Sequence, residues 1–391
     1  MNFFTELKSL VKVNIRDYGM YIALLFIMLT FSLMTDGLFM SSRNISNLLD
    51  SAGYIAVLAV GMTLVIVIRH IDLSVGFLAG FLGAIAAILL TQAGVPIYLT
   101  IPIILVLGII IGLFNGLLIA QIGIPSFVAT LAGMLIFRGA LLQVTEKSGT
   151  IIIKDENFNA IGNGFIPSIV EVNGLHLLSL IVGIAGIILY IYSEISTRKN
   201  KLKYQFEVVS KGIFTLKLVF ISAIISYITW ILAGYNGFSW TVVIMLLVVL
   251  VYHFLTTKTV LGRHIYAVGS NPEAAHLSGI NVKKITYMVF GSMGMLAALS
   301  GILFTSRLQS ATTTAGTLFE LDAIAAAYVG GVSSAGGVGK VTGAIIGAIV
   351  MASLSNGMNL LGVGISYQYI IRGGVLAAAV IFDVMTRRKK A

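Results

Sequence analysis

The chain has 391 residues, of which 58% are hydrophobic and only 10% are charged, and its mean hydropathy is +1.01. An average soluble domain carries about 25% charged residues, so a water-soluble fold could not bury this much apolar surface. The net charge of +10 suits cytoplasmic loops of a membrane protein better than nucleic-acid binding, because no basic stripe with interleaved aromatic residues lies outside the apolar segments. Without cysteine, disulfides and thiolate metal sites are excluded.

The elements begin with residues 1–18, where Phe3, Leu7 and Leu10 share one face and predict a cytoplasmic interfacial helix. Residues 19–391 form a transmembrane domain whose apolar segments are long enough to cross a ~30 Å hydrocarbon core. The predicted fold is an all-α polytopic membrane protein with about 12 hydrophobic segments, 10–12 of them true spans. The segments are residues 20–38, 52–69, 75–93, 97–120, 126–145, 175–193, 214–233, 240–256, 286–305, 317–335, 341–362 and 367–385.

The distribution of basic residues predicts the orientation of these segments. With the N-terminus inside and twelve alternating spans, 18 of the 25 Lys and Arg residues lie on the cytoplasmic side. Both termini are then cytoplasmic. Segments five and ten, residues 126–145 and 317–335, carry charge or Gly-Ser breaks, so either could be a broken or re-entrant helix.

Two loops are long enough to receive a partner protein. The extracytoplasmic loop of residues 146–173 mixes charged and aromatic residues, which fits either a docking surface or an ordinary solvated loop. The cytoplasmic loop of residues 257–285 is the longest polar interruption in the second half of the chain.

The cytoplasmic loop contains the pattern of a short helix. Ser270 and Glu273 have the spacing of a capping box, Pro272 suits the first turn, and Gly279 supplies a left-handed stop. A capped helix between two spans can serve as a plug for a soluble partner, although an ordinary structured loop has the same pattern. The candidate residues are Ser270, Asn271, Pro272, Glu273, Ala274, Ala275 and Gly279.

Four candidate pathway residues lie in the first half of the chain. Asp72 and Ser74 either cap the helix that follows them or line the inner mouth of a pathway. Asn115 adjoins a face of glycines at four-residue spacing, which predicts a helix contact. Thr130 shares segment five with Arg138, whose charge must face protein, water or a carboxylate. The glycines are Gly108, Gly112 and Gly116.

Four more candidates lie in the second half. Thr317 and Glu320 have capping-box spacing, so Glu320 and Asp322 either cap a helix or stand beside an outer gate. Asn356 and Asn359 either join helices or bind the hydroxyl groups of a sugar.

No arrangement of residues predicts catalysis, a cofactor or a metal site. The sequence has no H-E-x-x-H pattern and no clustered histidines, and its acidic residues are scattered through loops. This argues against an enzyme. It also weakens the alternative of a proton-coupled sugar transporter, which needs a titratable group near the middle of the membrane.

The loop helix resembles a known element. Glu273-Ala274-Ala275, three further residues and then Gly279 resemble the "EAA…G" loop of bacterial ABC-transporter permeases. The stretches "IDLSVG" from residue 71, "PSFVATLAGMLIFRG" from residue 125 and "ELDAIAAAYVGG" from residue 320 are similar to the monosaccharide branch, which includes ribose, xylose and galactose permeases. The resemblance covers most of residues 45–145 and 257–385. Extra spans in residues 175–256 make the chain most like xylose-type or multiple-monosaccharide permeases, with the segments 214–233 and 240–256 expected at the periphery.

The resemblance implies the permease subunit of an ATP-driven importer of xylose or a related monosaccharide in the bacterial inner membrane. It implies a homodimer of permease chains around one alternating-access pathway. A cytoplasmic ABC ATPase would receive the coupling helix at residues 270–279, and an extracytoplasmic sugar-binding protein would deliver the substrate. The ATPase, not this chain, would bind ATP.

Overall fold

The computed structural model describes residues 15–146, 149–168, 171–172, 175–206 and 208–388. The predicted interfacial helix of residues 1–18 lies outside this range, except for the last four residues, which begin the first helix. The described chain is mainly helical, as predicted, with two small two-stranded sheets.

The helices form a continuous series along the described chain. They are α1 (Ile15–Met34), α2 (Ser42–Val67), α3 (Val75–Thr91), α4 (Ile97–Ala120), α5 (Ser126–Thr145), α6 (Glu156–Asn163), α7 (Leu177–Lys203), α8 (Lys211–Ala233), α9 (Trp240–Lys258), α10 (Val260–Ser270), α11 (Pro272–Leu277), α12 (Val282–Leu308), α13 (Phe319–Val329), α14 (Val341–Leu360) and α15 (Ile365–Arg388). The strands are β1 (Thr150–Ile152), β2 (Glu171–Val172), β3 (Leu175–His176) and β4 (Ser310–Thr312).

Nine helices of the described chain are long and apolar enough to cross a membrane: α2, α4, α5, α7, α8, α9, α12, α14 and α15. Helices α1 and α3 are apolar but shorter over their described parts. The fifth predicted segment is one continuous helix, α5. The tenth contains only the 11-residue helix α13, which is about 16 Å long and too short to cross alone. The total of twelve segments therefore stays a prediction.

Helix α12 lies at the centre of the bundle, where it packs against α2, α3 and α4. Its approach to α4 is close because glycines remove the side chains between the two backbones. A Cβ atom added at Gly108 would overlap the carbonyl oxygen of Gly294, and one added at Gly112 would overlap that of Phe290. Small residues allow such close packing in a membrane. The predicted glycine face is therefore a helix contact.

Helix α2 forms the second wall of the core and is buried along nearly its whole length. It packs against α9, α12, α13 and α14. From Ala52 onward α2 is apolar on nearly all sides, which is typical of a helix in a protein core or a membrane, and these four helices bury it.

Helices α7 and α8 form a hairpin at the edge of the bundle, where they pack chiefly on each other. The side chain of Lys217 pairs with Glu194 at 2.8 Å across the hairpin, and most of the remaining surface of both helices is exposed. The expectation that segment 240–256 is also peripheral was wrong. Its helix, α9, packs against α2 and buries Met245, Val248 and Tyr252, because its apolar face fits the core.

The two ends of the bundle carry different loops. At one end, α11 directly precedes α12; we call this the α11 end. At the other, β1 pairs with β4 and the helix α6 lies against the last turn of α12. There Asn163 donates from Nδ2 to the carbonyl oxygen of Ser306 at 2.8 Å. The 27 residues of α12 separate this α6 end from the α11 end by about 40 Å.

Candidate functional sites

The predicted coupling helix is present as α11, but its cap is not the predicted residue. Asn271 is extended and accepts a hydrogen bond at Oδ1 from the backbone N–H of Ala274 at 3.0 Å. Ser270 is instead the last residue of α10, where its Oγ donates to the carbonyl oxygen of Tyr266 at 2.8 Å. The capping box of Ser270 and Glu273 was therefore wrong, because α10 continues one residue too far for Ser270 to leave the helix.

The other end of α11 is closed by Gly279. Its φ of +84° is the left-handed conformation that glycine adopts without steric cost. Its N–H donates to the carbonyl oxygen of His276 at 2.9 Å, and the N–H of Ile280 donates to that of Ala275 at 3.0 Å. Pro272 occupies the first turn, where its missing N–H leaves no bond unmade. A helix of only six residues is thus fixed at both ends.

Helix α11 projects from the bundle and is open to a partner. Leu277 is 87% exposed, and Glu273, Ala274 and His276 are also exposed, whereas Ala275 is buried against the rest of the chain. Beside the helix lies an open hollow that Pro272, Glu273, His276, Leu277 and Lys283 help to line. An apolar side chain on a capped helix, next to a hollow, suits insertion into a protein surface.

A second candidate site lies at the break between α2 and α3. Asp72 accepts at Oδ1 from the N–H of Ser74 at 2.9 Å and from its hydroxyl at 2.6 Å. Asn115 donates from Nδ2 to Ser74 Oγ at 3.1 Å, and Thr130 donates to the carbonyl oxygen of Ile71 at 3.3 Å. The structure therefore brings all four predicted residues of the first half into one cluster.

The side chains that form this cluster are shielded from solvent. The side chains of Asp72, Ser74, Asn115 and Thr130 are all buried. Ser74 directly precedes α3, at the N-cap position, but its side chain makes no capping hydrogen bond to that helix. Asp72 instead accepts hydrogen bonds within the loop from Ser74. The loop is hydrogen-bonded to Asn115 of α4 and Thr130 of α5. The capping interpretation is wrong for Ser74, and the hydrogen bonds of the cluster join the break to two neighbouring helices.

A third candidate site joins α13 to α14 and α15. Arg372 on α15 lies 3.3 Å from Asp322 through Nη1 and donates from Nη2 to Ser355 Oγ at 2.6 Å. Glu320 is buried, and its Oε2 has no hydrogen-bond partner among the described residues. The pair is only partly buried, with side-chain exposures of 25% for Arg372 and 20% for Asp322.

The capping box predicted for Thr317 and Glu320 is absent. Leu318 precedes the helix with a φ of +64° and no side-chain cap, and Thr317 donates to the carbonyl oxygen of Thr314 at 2.7 Å. The tight turn before α13 directs Thr317 away from the helix end. Glu320 and Asp322 are thus not explained by capping through this box.

The two remaining candidates bind other amides. Asn356 and Asn44 exchange hydrogen bonds, at 2.9 and 3.0 Å, which joins α14 to α2. Asn359 accepts from Gln368 at 2.8 Å across the α14–α15 turn. Both contacts favour the helix-joining interpretation, and the eight predicted pathway residues occupy several separate clusters rather than one cavity.

Sequence reasoning missed a polar network at the α6 end. Arg307 lies 3.6 Å from the carboxylate of Asp50, and the hydroxyl of Ser239 also donates to Asp50. The sequence did carry a signal for this pair. Asp50 comes just before the predicted segment 52–69, and Arg307 comes just after the predicted segment 286–305. Two segments that run in opposite directions place these charges at the same end of the bundle. Within the described residues, no three His, Asp or Glu side chains are grouped so that they could hold a metal ion.

Comparisons with known proteins agree with this architecture. A family model described as a branched-chain amino acid transport system permease component matches residues 44–380. The xylose transport system permease protein of Escherichia coli K12 is 39% identical over 99% of this chain and 95% of its own length. That of Haemophilus influenzae is 40% identical over 97% of this chain and 99% of its own. The ribose import permease protein of Haemophilus influenzae is 34% identical over 95% and 94%. No solved structure matches the chain.

A polytopic helical bundle with an exposed helix between two spans, matched along almost its full length to permeases, defines a membrane transport subunit. The chain belongs to the family of permease components described for branched-chain amino acid transport systems, and within it to the monosaccharide permeases of ABC transporters. It is a multi-pass inner-membrane protein and a transport subunit rather than an enzyme.

Proposed function

We propose that this permease imports xylose or a chemically similar monosaccharide, with energy from ATP that a partner hydrolyses. The observation that carries the substrate is the difference in identity. The two xylose permeases are 39% and 40% identical to the chain, whereas the ribose permease is 34% identical over a similar length. A proton-coupled transporter is not favoured, since the relatives are permeases of transport systems.

The family implies an ATPase and a substrate-binding protein as partners. We place the cytoplasmic ABC ATPase at α11, because this helix is capped at both ends and its tip is exposed. The docking residues are Ser270, Asn271, Pro272, Glu273, Ala274, Ala275 and Gly279. Asn271 and Gly279 fix the helix, whereas Glu273 and Ala274 face the partner. Ser270 lies behind it in α10.

The extracytoplasmic sugar-binding protein is proposed to dock at the α6 end. Helix α6 is capped by Asp155, which accepts from the N–H of Phe158 at 2.8 Å. Phe158 is fully buried beneath the helix, and Ile152 on the neighbouring strand is 67% exposed. A rigid surface of this kind, within the predicted loop of residues 146–173, suits a folded partner.

A second copy of the chain is proposed to cover the charged groups on the faces of α5 and α15. Arg138 is exposed within α5 and lies 5.5 Å from the centre of the Phe77 ring. The Arg372–Asp322 pair is partly exposed within the bundle. Charges that face lipid are costly, so such groups line protein contacts or a hydrated pathway. Lipid would cover the apolar surface of α7 and α8.

Transport then proceeds by alternating access between the two ends. ATP-driven closure of the ATPase moves α11, and the helices attached to it open and close the pathway. The buried cluster of Asp72, Ser74, Asn115 and Thr130 is the proposed inner gate. Glu320 and Asp322 are proposed at the outer gate, and Asn356 and Asn359 set the positions of α14 and α15 beside it.

The decisive experiment replaces Gly279 by leucine in the transporter assembled with its ATPase and binding protein in proteoliposomes. A side chain in the left-handed conformation costs about 1–2 kcal/mol, which distorts the end of α11. We expect xylose uptake per ATP hydrolysed to fall severalfold. The matched control is Gly123→Leu, because Gly123 has a φ of +85° and equally open surroundings in another turn.

Normal ATPase binding and xylose uptake in Gly279→Leu would count against the coupling assignment. Uptake by the assembled transporter of galactose, a hexose, but of neither xylose nor ribose, would leave the coupling assignment standing and refute the proposed substrate.

A further inference from the structure

The last turn of α10, directly before the proposed coupling helix, is bound by a residue from a distant part of the chain. Arg69, two residues after α2, donates from Nε to the carbonyl oxygen of Gly269 at 2.6 Å and from Nη2 to that of Ser270. The final carbonyl groups of a helix have no hydrogen-bond donor within the helix, so a guanidinium is well suited to donate to them. Only Asn271 separates these residues from α11.

A third segment, the loop of residues 330–340, closes on the same point. The N–H of Gly337 donates to the carbonyl oxygen of Val67 at 2.8 Å. A Cβ atom at Gly336 would overlap the side chain of Arg69, and one at Gly337 would overlap Ser270. The φ angles of the two glycines are +80° and +70°, so the loop can reach the backbones of α2 and α10 only with glycine here.

Tyr266 adds a hydrogen bond between the same segments. Its hydroxyl donates to the carbonyl oxygen of Gly339 at 2.6 Å. Burial raises the pKa of Tyr266, which keeps the phenol protonated and able to donate. We call the contacts among Val67, Arg69, Tyr266, Gly269, Ser270, Gly336, Gly337 and Gly339 the Arg69 junction.

The backbone of Arg69 supports a specific role. Its φ is +66°, a left-handed conformation that is uncommon and unfavourable for residues other than glycine. Such a conformation persists only where surrounding contacts hold it. The hydrogen bonds that close α2 supply that hold: the N–H of Arg69 donates to the carbonyl oxygen of Ile66 at 2.9 Å, and that of His70 donates to the carbonyl oxygen of Val65 at 3.0 Å. The resulting turn brings the guanidinium to α10 and leads the chain to Asp72, three residues later.

We propose that Arg69 is the positioning residue that transmits movement of the coupling helix to the rest of the permease. This inference rests on the proposed function of α11. A displacement of α11 pulls on the last turn of α10, and the junction passes it to α2 with its break at residues 68–74. The loop of residues 330–340 carries it to α14. It also reaches α15, because Ser334 donates through its N–H and its hydroxyl to Asp383, each at 3.2 Å.

The test measures xylose imported per ATP hydrolysed by the complete transporter in proteoliposomes. For Arg69→Ala we expect the ATPase to remain bound and active while this ratio falls about tenfold or more, because tenfold corresponds to the loss of one charge-assisted hydrogen bond and the variant loses two. Arg69→Lys keeps the charge but has one donor group instead of a fork, so its ratio should be intermediate. Tyr266→Phe removes a single oxygen atom and should lower the ratio severalfold.

The matched control is Lys201→Ala, which removes an exposed positive charge at the end of α7, away from the junction. Its ratio should equal that of the parent chain. If Arg69→Ala prevents folding, Tyr266→Phe decides. A parental ratio in the properly folded variants, Tyr266→Phe included, overturns the inference.

A cross-link separates failure of the junction from failure of the proposed function. Glu273→Cys in the otherwise unchanged chain should cross-link to the ATPase. If it does while the junction variants keep the parental ratio, the junction alone is refuted. If Glu273→Cys forms no cross-link to the ATPase, the docking site at α11 is refuted, and the proposed role of Arg69 falls with it.

Discussion

Asn271 shows how one residue can decide the start of a helix. Serine and asparagine are both good caps, and the Ser270–Glu273 spacing favours serine. The choice depends on where the preceding helix ends, and α10 ends only after Ser270. At that boundary Arg69, 200 residues before Gly269 in sequence, donates to the last carbonyl oxygens of α10. Local spacing could therefore predict the helix and its stop at Gly279, but not its cap.

Asn271→Ala should destabilise α11 by about 1 kcal/mol, because the N–H of Ala274 loses its acceptor. We expect weaker binding of the purified ATPase, measured by titration against the permease in nanodiscs. Asn271→Asp should retain most of the affinity. Ser270→Ala is the matched control, with an affinity close to that of the parent. A larger loss in Ser270→Ala than in Asn271→Ala would contradict the assignment of the cap.

Helix contacts were partly predictable from the sequence because glycine spacing reports them directly. The face of Gly108, Gly112 and Gly116 lies against α12, as its four-residue period predicts. The polar contacts were less predictable. Asn356 could have joined helices or bound a sugar, and Asp322 could have capped a helix or stood beside an outer gate. Only the positions of Asn44 and Arg372 resolve their partners. Those partners come from remote elements, which no local pattern records.

Gly112→Ala should lower the melting temperature of the detergent-solubilised permease. The added methyl group would overlap the carbonyl oxygen of Phe290, and such overpacking costs about 1–3 kcal/mol. Gly186→Ala is the matched control, since Gly186 lies in α7 with open space around it, and there alanine should be neutral or stabilising. Equal melting temperatures for the parent and Gly112→Ala would show that α4 and α12 are not in close contact.

The Arg372–Asp322 pair should show strong coupling between α13 and α15. Asp322→Asn and Arg372→Met each leave a charge without its partner, which we expect to cost about 1–3 kcal/mol, less than for a fully buried pair because both groups are partly exposed. The double variant should be more stable than the sum of the single effects predicts. Thermal unfolding of the four proteins measures this cycle, and purely additive effects would refute the pair.

At the scale of the whole molecule, hydropathy predicted each long helix of the described residues, because the backbone N–H and C=O groups of a span must form their hydrogen bonds within the span. It could not distinguish the short helix α13 from a span, since a Gly-Ser loop follows an equally apolar run. It also could not tell that α9 enters the core while α7 and α8 remain outside. Both α8 and α9 are apolar, and only packing separates them.

The predicted orientation can be tested because the chain has no cysteine. Asn157 in α6 and Glu273 in α11 are both exposed and lie at opposite ends of the bundle. In intact cells, a membrane-impermeant maleimide should label Asn157→Cys and not Glu273→Cys. Inverted vesicles should give the reverse. Labelling of Glu273→Cys from outside the cell would place α11 on the side of the membrane opposite to a cytoplasmic ATPase.

Helix α12 runs unbroken from the neighbourhood of α11 to the last turn held by Asn163. In the proposed transporter, α12 connects the docking surface for the ATPase at α11 to the docking surface for the sugar-binding protein at α6, so binding at one surface affects binding at the other. Thermodynamics requires such signalling to run equally in both directions. In this transporter, binding of the sugar-loaded binding protein would change the affinity of the ATPase for nucleotide by a certain factor. Nucleotide would then change the affinity for the binding protein by the same factor.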